Sequence, residues 1–441
     1  MATLAVGIDV GSSSVKAVAL KRSGAGYSLK SVGHADIRRT EYFPDESPQA
    51  IAEAPLRALE KITQDSNFGR KPCSFAVSGP RVAPRLFKFP SLPKTEVEAA
   101  IRFEAEQIIP FDLAQAALDY VLFDEVMEEG KPQMEGLVVA VHKEEVDKRF
   151  VLLKSAGFDP VVLDIDALAI ANAFVETEGV GEKETVALIN IGAKFTNLSI
   201  CHGPRRVFVR DIASGGDQLS RAISEIYGMD LPMAEKRKRE AAYTPLDELE
   251  GGGEQGFESQ AETMPGGGMG GAGETAGGEG GEEEYVLLDG DETAMMRKDE
   301  AKPGKGAKAG DTMTGDEEGG FDQSAQTQNQ MGAAQRISAN RAVLADALGD
   351  LVSEIQDTFK YYINRRIVPK VDKVKLCGGT AKFPDIDDFF AGQLGVPTQL
   401  WNPFARIDVA GVAKRFPPNF LDELGPLMAV ACGLAMREIS G

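Results

Sequence analysis

The feature of this sequence that most constrains its fold is a strand–turn–strand pattern that occurs twice, 181 residues apart. In the first copy the apolar segments Leu4–Val10 and Val15–Lys21 flank the short polar turn Gly11–Ser14. In the second copy Val186–Ile191 and Asn197–Cys201 flank a turn that also begins near a glycine. Such a repeat favours two similar lobes that face each other across a cleft, with chance matching of two β-hairpins as the alternative.

The two copies also align position by position. The first copy supplies Asp9, Gly11, Val15, Ala17 and Ala19, and the second supplies Asn190, Gly192, Thr196, Leu198 and Ile200. A third predicted strand follows each pair, Tyr27–Ile37 in the first copy and Arg206–Arg210 in the second. Because its connections are too short for crossovers, the opening three-stranded unit is expected to be antiparallel.

Helical and strand patterns alternate through the rest of the chain, which is typical of an α/β fold. A helix is expected over Thr95–Ile109, because Thr95 and Glu98 have the spacing of a capping box and Pro110 ends the pattern. The other predicted elements are a strand at Leu137–Val141, a helix from Val146 that Gly157 closes, a Gly215–Gly216 turn into a helix that reaches Tyr227, a long helix through Leu344–Tyr362, and a strand at Val374–Leu376.

Residues 241–330 have a different composition from the rest of the chain. They contain 21 of the 48 glycines, and 21 acidic against 5 basic side chains give them a net charge of -16 out of the total of -20. A segment this polar cannot bury enough apolar surface to offset its chain entropy. We therefore predict a disordered acidic insertion here and a nearly neutral folded remainder.

Composition and local patterns exclude several classes of protein. The overall acidity gives no sign of nucleic-acid binding or of a polybasic membrane anchor. Four cysteines lie far apart with no CxxC pair, which predicts reduced thiols and no zinc site. The N-terminus lacks a signal-peptide pattern, and no apolar run approaches the roughly 18 residues of a membrane span. A soluble cytoplasmic protein is the expectation.

Three glycine turns carry the chemistry that the sequence suggests. Gly11, Ser12, Ser13 and Ser14 can present backbone N–H groups to an anion, and Lys16 just beyond them can bind phosphate oxygens. Asp9, at the end of the preceding strand, can hold Mg²⁺ through the water shell of the ion. The turns at Gly192 and at Gly378–Thr380 repeat this arrangement, and an ordinary hairpin with a solvated turn is the competing interpretation of any one of them.

The sequence resembles the actin/Hsp70/FtsA superfamily of nucleotide-binding proteins, and within it the PilM family of type IV pilus assembly proteins. The resemblance covers nearly everything outside the insertion. It rests on GIDVGSSSVKAVAL (7–20), EVEAAIRFEAEQIIPFDLAQAALDYVLF (96–123), LVVAVHKEEVDKRFVLLKSAGFDPVVLDIDALAIANAF (137–174), LINIGAKFTNLSI (188–200), RDIASGGDQLSRAI (210–223), LVSEIQDTFKYY (351–362) and LCGGTAKFPDIDDFFAGQLGVPTQLWNPF (376–404).

The resemblance implies a bilobed actin-like ATPase fold with an extra subdomain of the FtsA/PilM type. It divides the chain into a first lobe (1–79 and 161–185, with the C-terminal helix 421–441), an extra subdomain (80–160), a second lobe (186–240 and 331–420) and the insertion 241–330. It also implies ATP or ADP with Mg²⁺ as ligands, held at matching positions. These are Asp9, Gly11, Ser12, Ser13, Ser14 and Lys16 in the first phosphate loop, Asn190, Gly192 and Thr196 in the second, Gly215, Gly216 and Asp217 at the ribose, and Gly378, Gly379 and Thr380 at the adenosine.

The resemblance makes Asp9 and Asp166 the candidate catalytic residues, and the residue at position 190 bears on the same chemistry. Asp166 stands where relatives keep an acidic or amide residue that orients the attacking water, although it is equally explained as a cap of the following helix. Asn190 stands where the superfamily usually has Asp, so the Mg²⁺ site that it would share with Asp9 loses one negative charge. Phosphoryl transfer depends on metal placement. We therefore expect ATP binding with very slow or absent hydrolysis.

The implied function is a nucleotide-binding scaffold at the inner face of the bacterial inner membrane. In the PilM family a groove between the extra subdomain and the first lobe holds the cytoplasmic N-terminal tail of PilN. Other inner-membrane and motor components of the pilus are further expected partners, with membrane contact only through partners, no nucleic acid, and self-association left open. The alternatives are a kinase or true ATPase, and an FtsA-like cell-division filament protein; the closing segment LDELGPLMAVACGLAMREISG reads as a packed helix without a basic tail.

Overall fold

Fourteen strands and eleven helices are present in the computed structural model, which describes residues 4–24, 26–66, 68, 72–123, 125–241 and 323–440. The strands are β1 (Leu4–Val10), β2 (Ser14–Ser23), β3 (Gly26–Asp36), β4 (Pro72–Val77), β5 (Val82–Pro90), β6 (Ala116–Leu122), β7 (Val126–Glu128), β8 (Lys131–His142), β9 (Asp159–Ile165), β10 (Thr185–Ile191), β11 (Thr196–His202), β12 (Arg206–Ile212), β13 (Lys373–Cys377) and β14 (Thr398–Leu400). The helices are α1 (Pro48–Ser66), α2 (Lys94–Ile108), α3 (Lys143–Ser155), α4 (Asp166–Thr177), α5 (Gly216–Tyr227), α6 (Leu231–Glu240), α7 (Gln323–Asn364), α8 (Ile386–Leu394), α9 (Ala410–Ala413), α10 (Phe420–Leu424) and α11 (Ala429–Ser440).

Two five-stranded sheets have the same topology. The first has the order β3-β2-β1-β4-β9, and the second has the order β12-β11-β10-β13-β14. In each sheet the first three strands are antiparallel and the last two run parallel to the central strand. The repeat in the sequence therefore corresponds to a repeat in the structure, and the predicted antiparallel opening unit is confirmed.

A helical layer joins the two sheets. Helices α4 and α11 pack against each other, α11 covers β1 and β2, and α4 contacts β11 and β12. Helix α11 approaches β1 closely, since a Cβ on Gly7 would lie 2.0 Å from the carbonyl oxygen of Ala431. Residues Met428–Met436, apart from Gly433, include the buried side chains of this layer, so the prediction of a final packed helix is confirmed.

The extra subdomain is a separate sheet, β5-β8-β6 with β7 paired to β8, and α2 packs on one of its faces. Helix α2 differs from its prediction at one end. It begins at Lys94 with Pro93 as its N-cap and no side-chain cap, so the Thr95–Glu98 capping box does not form. The start of the helix is set instead by proline, which is accepted at helix N-termini because its missing N–H has no intrahelical partner there.

Three predicted boundaries differ from the structure. The extra subdomain was expected to reach residue 160, but its sheet ends at His142, and α3 packs into the first lobe through Leu153. The segment 403–413, expected in the second lobe, contacts β3 of the first lobe, where Leu29 N–H donates to the Asp408 carbonyl at 2.8 Å. Within the predicted insertion 241–330, residues 242–322 lie outside the described residues, and α7 is already helical from Gln323.

Candidate functional site

A row of three side chains crosses the first sheet at its cleft edge. Asp9 on β1 is paired with Lys16 on β2, and Lys16 is paired with His34 on β3. Lys16 Nζ lies 3.0 Å from Asp9 Oδ2 and 3.4 Å from the carbonyl oxygen of Ser14. Burial, the positive charge of Lys16 and that of Arg239 lower the pKa of His34 to about 4, so its imidazole is neutral at pH 7.

The second sheet has the equivalent row, made of Asn190, Asn197 and Asp211. Asn190 Nδ2 donates to Asn197 Oδ1 at 2.8 Å, and Asn197 Nδ2 donates to Asp211 Oδ1 at 2.8 Å. The other oxygen of Asp211 accepts from Gly79 N–H of the first lobe at 2.8 Å. Burial raises the pKa of Asp211 in spite of these two donors. The chain of hydrogen bonds runs in one direction, toward the carboxylate.

The turns have matching geometry in both lobes, and the third glycine turn closes the cleft beside them. Gly11 N–H donates to the Ser14 carbonyl and Gly192 N–H donates to the Phe195 carbonyl, each at 3.0 Å. Gly378 has φ +94°, and a Cβ there would lie 2.6 Å from Asn190 Oδ1. Only glycine tolerates both this backbone angle and this approach.

These elements enclose a cleft of about 540 Å³. Twelve of the predicted site residues line it: Asp9, Gly11, Ser12, Ser13, Ser14, Lys16, Asp166, Asn190, Gly192, Gly378, Gly379 and Thr380. Residues from four separate parts of the sequence therefore meet at one place, which local sequence patterns alone could not establish.

Four predicted site residues do not line the cleft. The Thr196 hydroxyl is buried and donates to the Ser214 carbonyl at 2.7 Å. Gly215 and Gly216 lie behind the cleft wall, where a Cβ on Gly216 would lie 2.3 Å from Thr380 Oγ1.

Asp217, the fourth, forms a bidentate pair across the lobes with Arg39, at 2.7 and 2.9 Å, and also accepts from the Tyr42 hydroxyl. Its predicted contact with ribose would require this buried pair to open.

Asp166 is the first residue of α4, and the N-cap position belongs to Ile165, which rules out the capping explanation. Burial raises the pKa of Asp166 to about 7, and the negative charge of Asp9 adds to the shift, while a hydrogen bond from Ser78 opposes it. A carboxyl group that titrates near neutral pH in a cleft is suited to accepting a proton from water.

The structure adds cleft residues that sequence reasoning did not find. Arg149 of α3 reaches the cleft near Asp9 and Asp166. Lys238 of α6 also lines it, but its ammonium group is occupied by Glu235 at 2.5 Å, the Ser220 hydroxyl at 2.9 Å and the Gly216 carbonyl at 3.0 Å. Asn197 was within reach of the sequence, because it lies at the same offset of 181 from Lys16 as the aligned pairs; Arg149 has no local signal.

A second cavity, of about 1100 Å³, lies between the first lobe and the extra subdomain. Helix α1 contributes Glu53 and Leu56, helix α3 contributes Val151 and Leu152, and the extra subdomain contributes residues 114–115 among others. Its rim is charged, with Arg81 paired to Glu144. The apolar side chains of this groove are Ala52, Leu56, Ala114, Val151 and Leu152, and charged side chains surround them. The groove is open enough to take a peptide.

No helix in the described ranges is both long and apolar enough to cross a lipid bilayer. No group of three or more His, Cys, Asp and Glu side chains forms a ready-made metal site within the same residues.

Two related lobes, each built on a five-stranded sheet and facing a common cleft, define the bilobed actin-like ATPase fold. The chain belongs to the family described as type IV pilus assembly protein PilM, which it matches over residues 7–247 and 320–439. A solved PilM–PilN type IV pilus biogenesis complex superposes with a TM-score of 0.65 at 21% sequence identity, covering 100% of this chain and 99% of that chain.

More distant structural similarities span most of the chain. The ethanolamine utilization protein EutJ from Carboxydothermus hydrogenoformans gives a TM-score of 0.40 at 12% identity, covering 98% of this chain and 89% of that chain. MreB5 of Spiroplasma citri bound to ADP gives 0.39 at 13% identity, covering 99% and 96%.

Proposed function

We propose that this chain is an ATP-binding scaffold of type IV pilus assembly that carries a peptide of an inner-membrane partner in its second cavity. The observation that supports nucleotide binding is the convergence of three glycine turns and Lys16 on one cleft between the lobes. Backbone N–H groups in such turns, together with a lysine, are a general solution for binding phosphate.

The residues present fit a magnesium nucleotide. Lys16 is placed to hold phosphate oxygens, and Gly378 leaves space against Asn190 that any side chain would fill. Asp9 and the Asn190 carbonyl oxygen would hold Mg²⁺ through its water ligands. When bound, the metal neutralises phosphate charge; the protein's part is to position the nucleotide and exclude water.

Binding is tested by isothermal titration of the purified protein with ATP and ADP in the presence of Mg²⁺. Lys16→Met should weaken ATP binding about 10- to 100-fold, the range expected for losing one charge-assisted contact. Lys21→Met is the matched control, because Lys21 is on the same strand but exposed. Equal affinities in all three proteins would contradict the proposed role of the cleft.

Slow or absent hydrolysis is the second part of the proposal. Asn190 brings no charge to the metal, and the nearest acid of that row, Asp211, is held by Asn197 and Gly79. Phosphate release is therefore expected to be far below one turnover per second, whereas several per second would contradict it. Asn190→Asp should raise any residual rate.

The second cavity supports the partner proposal, since an extended peptide can be held in a groove with an apolar floor. A peptide with the N-terminal sequence of PilN from the same organism should bind when titrated with ATP, with ADP and without nucleotide. Binding in none of the three conditions would remove the scaffold hypothesis in this form.

One pair of variants locates the peptide. Val151 in the cavity and Val161 on β9 are both exposed valines, 61% and 54% accessible. Val151→Glu should weaken peptide binding at least 10-fold, because a bound peptide would cover this side chain and remove the new charge from water. Val161→Glu should leave peptide binding unchanged, and neither substitution should alter ATP affinity.

A further inference from the structure

Arg149 is the residue of α3 that lines the nucleotide cleft. Its side chain reaches the nucleotide cleft from the first-lobe side, where the nearest acidic groups are Asp166 and Asp9. Leu153, one turn further along the same side of the helix, is fully buried in the first-lobe core and fixes how α3 is rotated.

The guanidinium of Arg149 has no hydrogen bond or ion pair within 4.0 Å to any residue that the structure describes. Other cations of the cleft are occupied: Lys16 pairs with Asp9, Lys238 with Glu235, and Arg239 with Asp36. Burial lowers the pKa of Arg149. A partly buried charge without a partner is costly, so the site is incomplete without an anion.

None of the three acids that act on Arg149 supplies that anion, and one of them, Glu145, pairs with Arg81 and Lys148 instead. The Asp9 carboxylate already accepts from Lys16 at 3.0 Å. Asp166 lines the cleft but forms no ion pair with Arg149 within 4.0 Å. A ligand phosphate would satisfy Arg149, because the planar guanidinium matches phosphate oxygens in a bidentate arrangement.

We propose that Arg149 binds the terminal phosphate of a nucleoside triphosphate and makes the cleft prefer triphosphate to diphosphate. This rests on the proposed nucleotide binding. The position of the residue supports the terminal phosphate: Arg149 stands beside Asp9 and Asp166, at the end of the cleft where the first phosphate loop lies. The adenosine end, at Gly378–Thr380, is carried by the other lobe.

The test is the ratio of two affinities, measured by calorimetry with a non-hydrolysable β,γ-imido analogue of ATP and with ADP. Arg149→Ala should weaken binding of the analogue about 10- to 100-fold and change ADP affinity less than about threefold. Arg149→Lys keeps the charge without the bidentate geometry, so an intermediate loss confined to the analogue is expected. Arg102→Ala, at an exposed arginine of α2, is the control and should alter neither affinity.

The outcomes separate this inference from the function on which it rests. If the wild-type protein binds both ligands but Arg149→Ala weakens them equally, or not at all, the role of Arg149 is wrong and the nucleotide site stands. If the wild-type protein binds neither ligand, both proposals fail. Should Arg149→Ala not fold, an unchanged affinity ratio in Arg149→Lys would by itself overturn the inference.

Discussion

The two lobes have the same fold at the cleft edge but opposite chemistry. In the first, Asp9, Lys16 and His34 form a row that contains an ion pair and a neutral imidazole. In the second, the equivalent row is Asn190, Asn197 and Asp211, in which two amides lead to one carboxylate. One sheet geometry thus supports a row with an ion pair in one lobe and a directional amide row in the other.

This difference gives a structural reason for an asparagine, rather than an aspartate, at position 190. Asn190 donates to an acceptor, Asn197 Oδ1, whose own amide donates to Asp211. A carboxylate at position 190 would face that oxygen without a proton to share. The carboxylate of this row therefore lies two strands away from position 190, where it also accepts from Gly79 N–H of the first lobe.

The largest effect is expected from reversing this row. Asn190→Asp alone should lower the free energy of unfolding by about 2 kcal/mol, because the new carboxylate would face the buried Asn197 oxygen with no proton between them. Adding Asp211→Asn lets Asn197 turn over and donate to position 190 while it accepts from position 211. The double variant should regain most of the loss, as measured by urea unfolding of the nucleotide-free protein at pH 7.

Asp211→Asn by itself is the control for this swap. The amide oxygen at position 211 can still accept from Gly79 N–H while its NH2 group donates to Asn197, so the row can reverse its direction and the variant should cost less than Asn190→Asp. A double variant no more stable than Asn190→Asp would show that the direction of the chain does not determine the residue at position 190.

A smaller, pH-dependent effect is expected in the first row. The folded pKa of His34, about 4, is below the ordinary value of 6.5, so the unfolded chain binds more protons between these limits. Stability from this group is present above pH 6.5 and is lost as the pH falls toward 4. His34→Gln should reduce the loss at pH 4 by on the order of 2 kcal/mol.

The measurement is the difference in unfolding free energy between pH 7 and pH 4 for wild type and variant. His202→Gln is a useful comparison. The pKa of His202 is also lowered, but its ring is partly exposed and shares a hydrogen bond with the Thr185 hydroxyl. A larger effect at His202 than at His34 would contradict the assignment.

The smallest expected effect concerns which row acts more strongly on Asp166. The charges of Asp9 and Asp211 both raise its pKa, and Asp9 contributes more. Asp9→Asn should therefore lower the pKa of Asp166 more than Asp211→Asn does. A carbon-13 NMR titration of the Asp166 carboxyl group measures both shifts, and the reverse order would show that the second row dominates.

Much of this arrangement was predictable because it is local. Strand alternation and glycine turns place Gly11 and Gly192 at equivalent positions, and the offset of 181 extends without change to Lys16 and Asn197. The hairpin register then determines which residue of the third strand stands next in each row. Glycine motifs point only to the turns, whereas His34 and Asp211 join the rows through the register of the third strands.

Other residues could not be found this way, because tertiary packing decides their environment. The partner of Asp217 is Arg39, 178 positions away, and only the closure of the lobes brings them together. Arg149 faces the cleft because Leu153 fixes the rotation of α3 in the first lobe. The boundary at residue 160 came from the family resemblance, which does not show that α3 packs on the first lobe through Leu153.

Helix α3 is a wall shared by two cavities, with Arg149 at the cleft and Val151 at the groove. A phosphate that displaces α3 through Arg149 would also change the shape of the groove at Val151, because both residues belong to one helix. Thermodynamic linkage then requires symmetry: the factor by which nucleotide changes peptide affinity must equal the factor by which peptide changes nucleotide affinity. Two titrations, each performed with the other ligand saturating, would measure that single coupling constant from both ends.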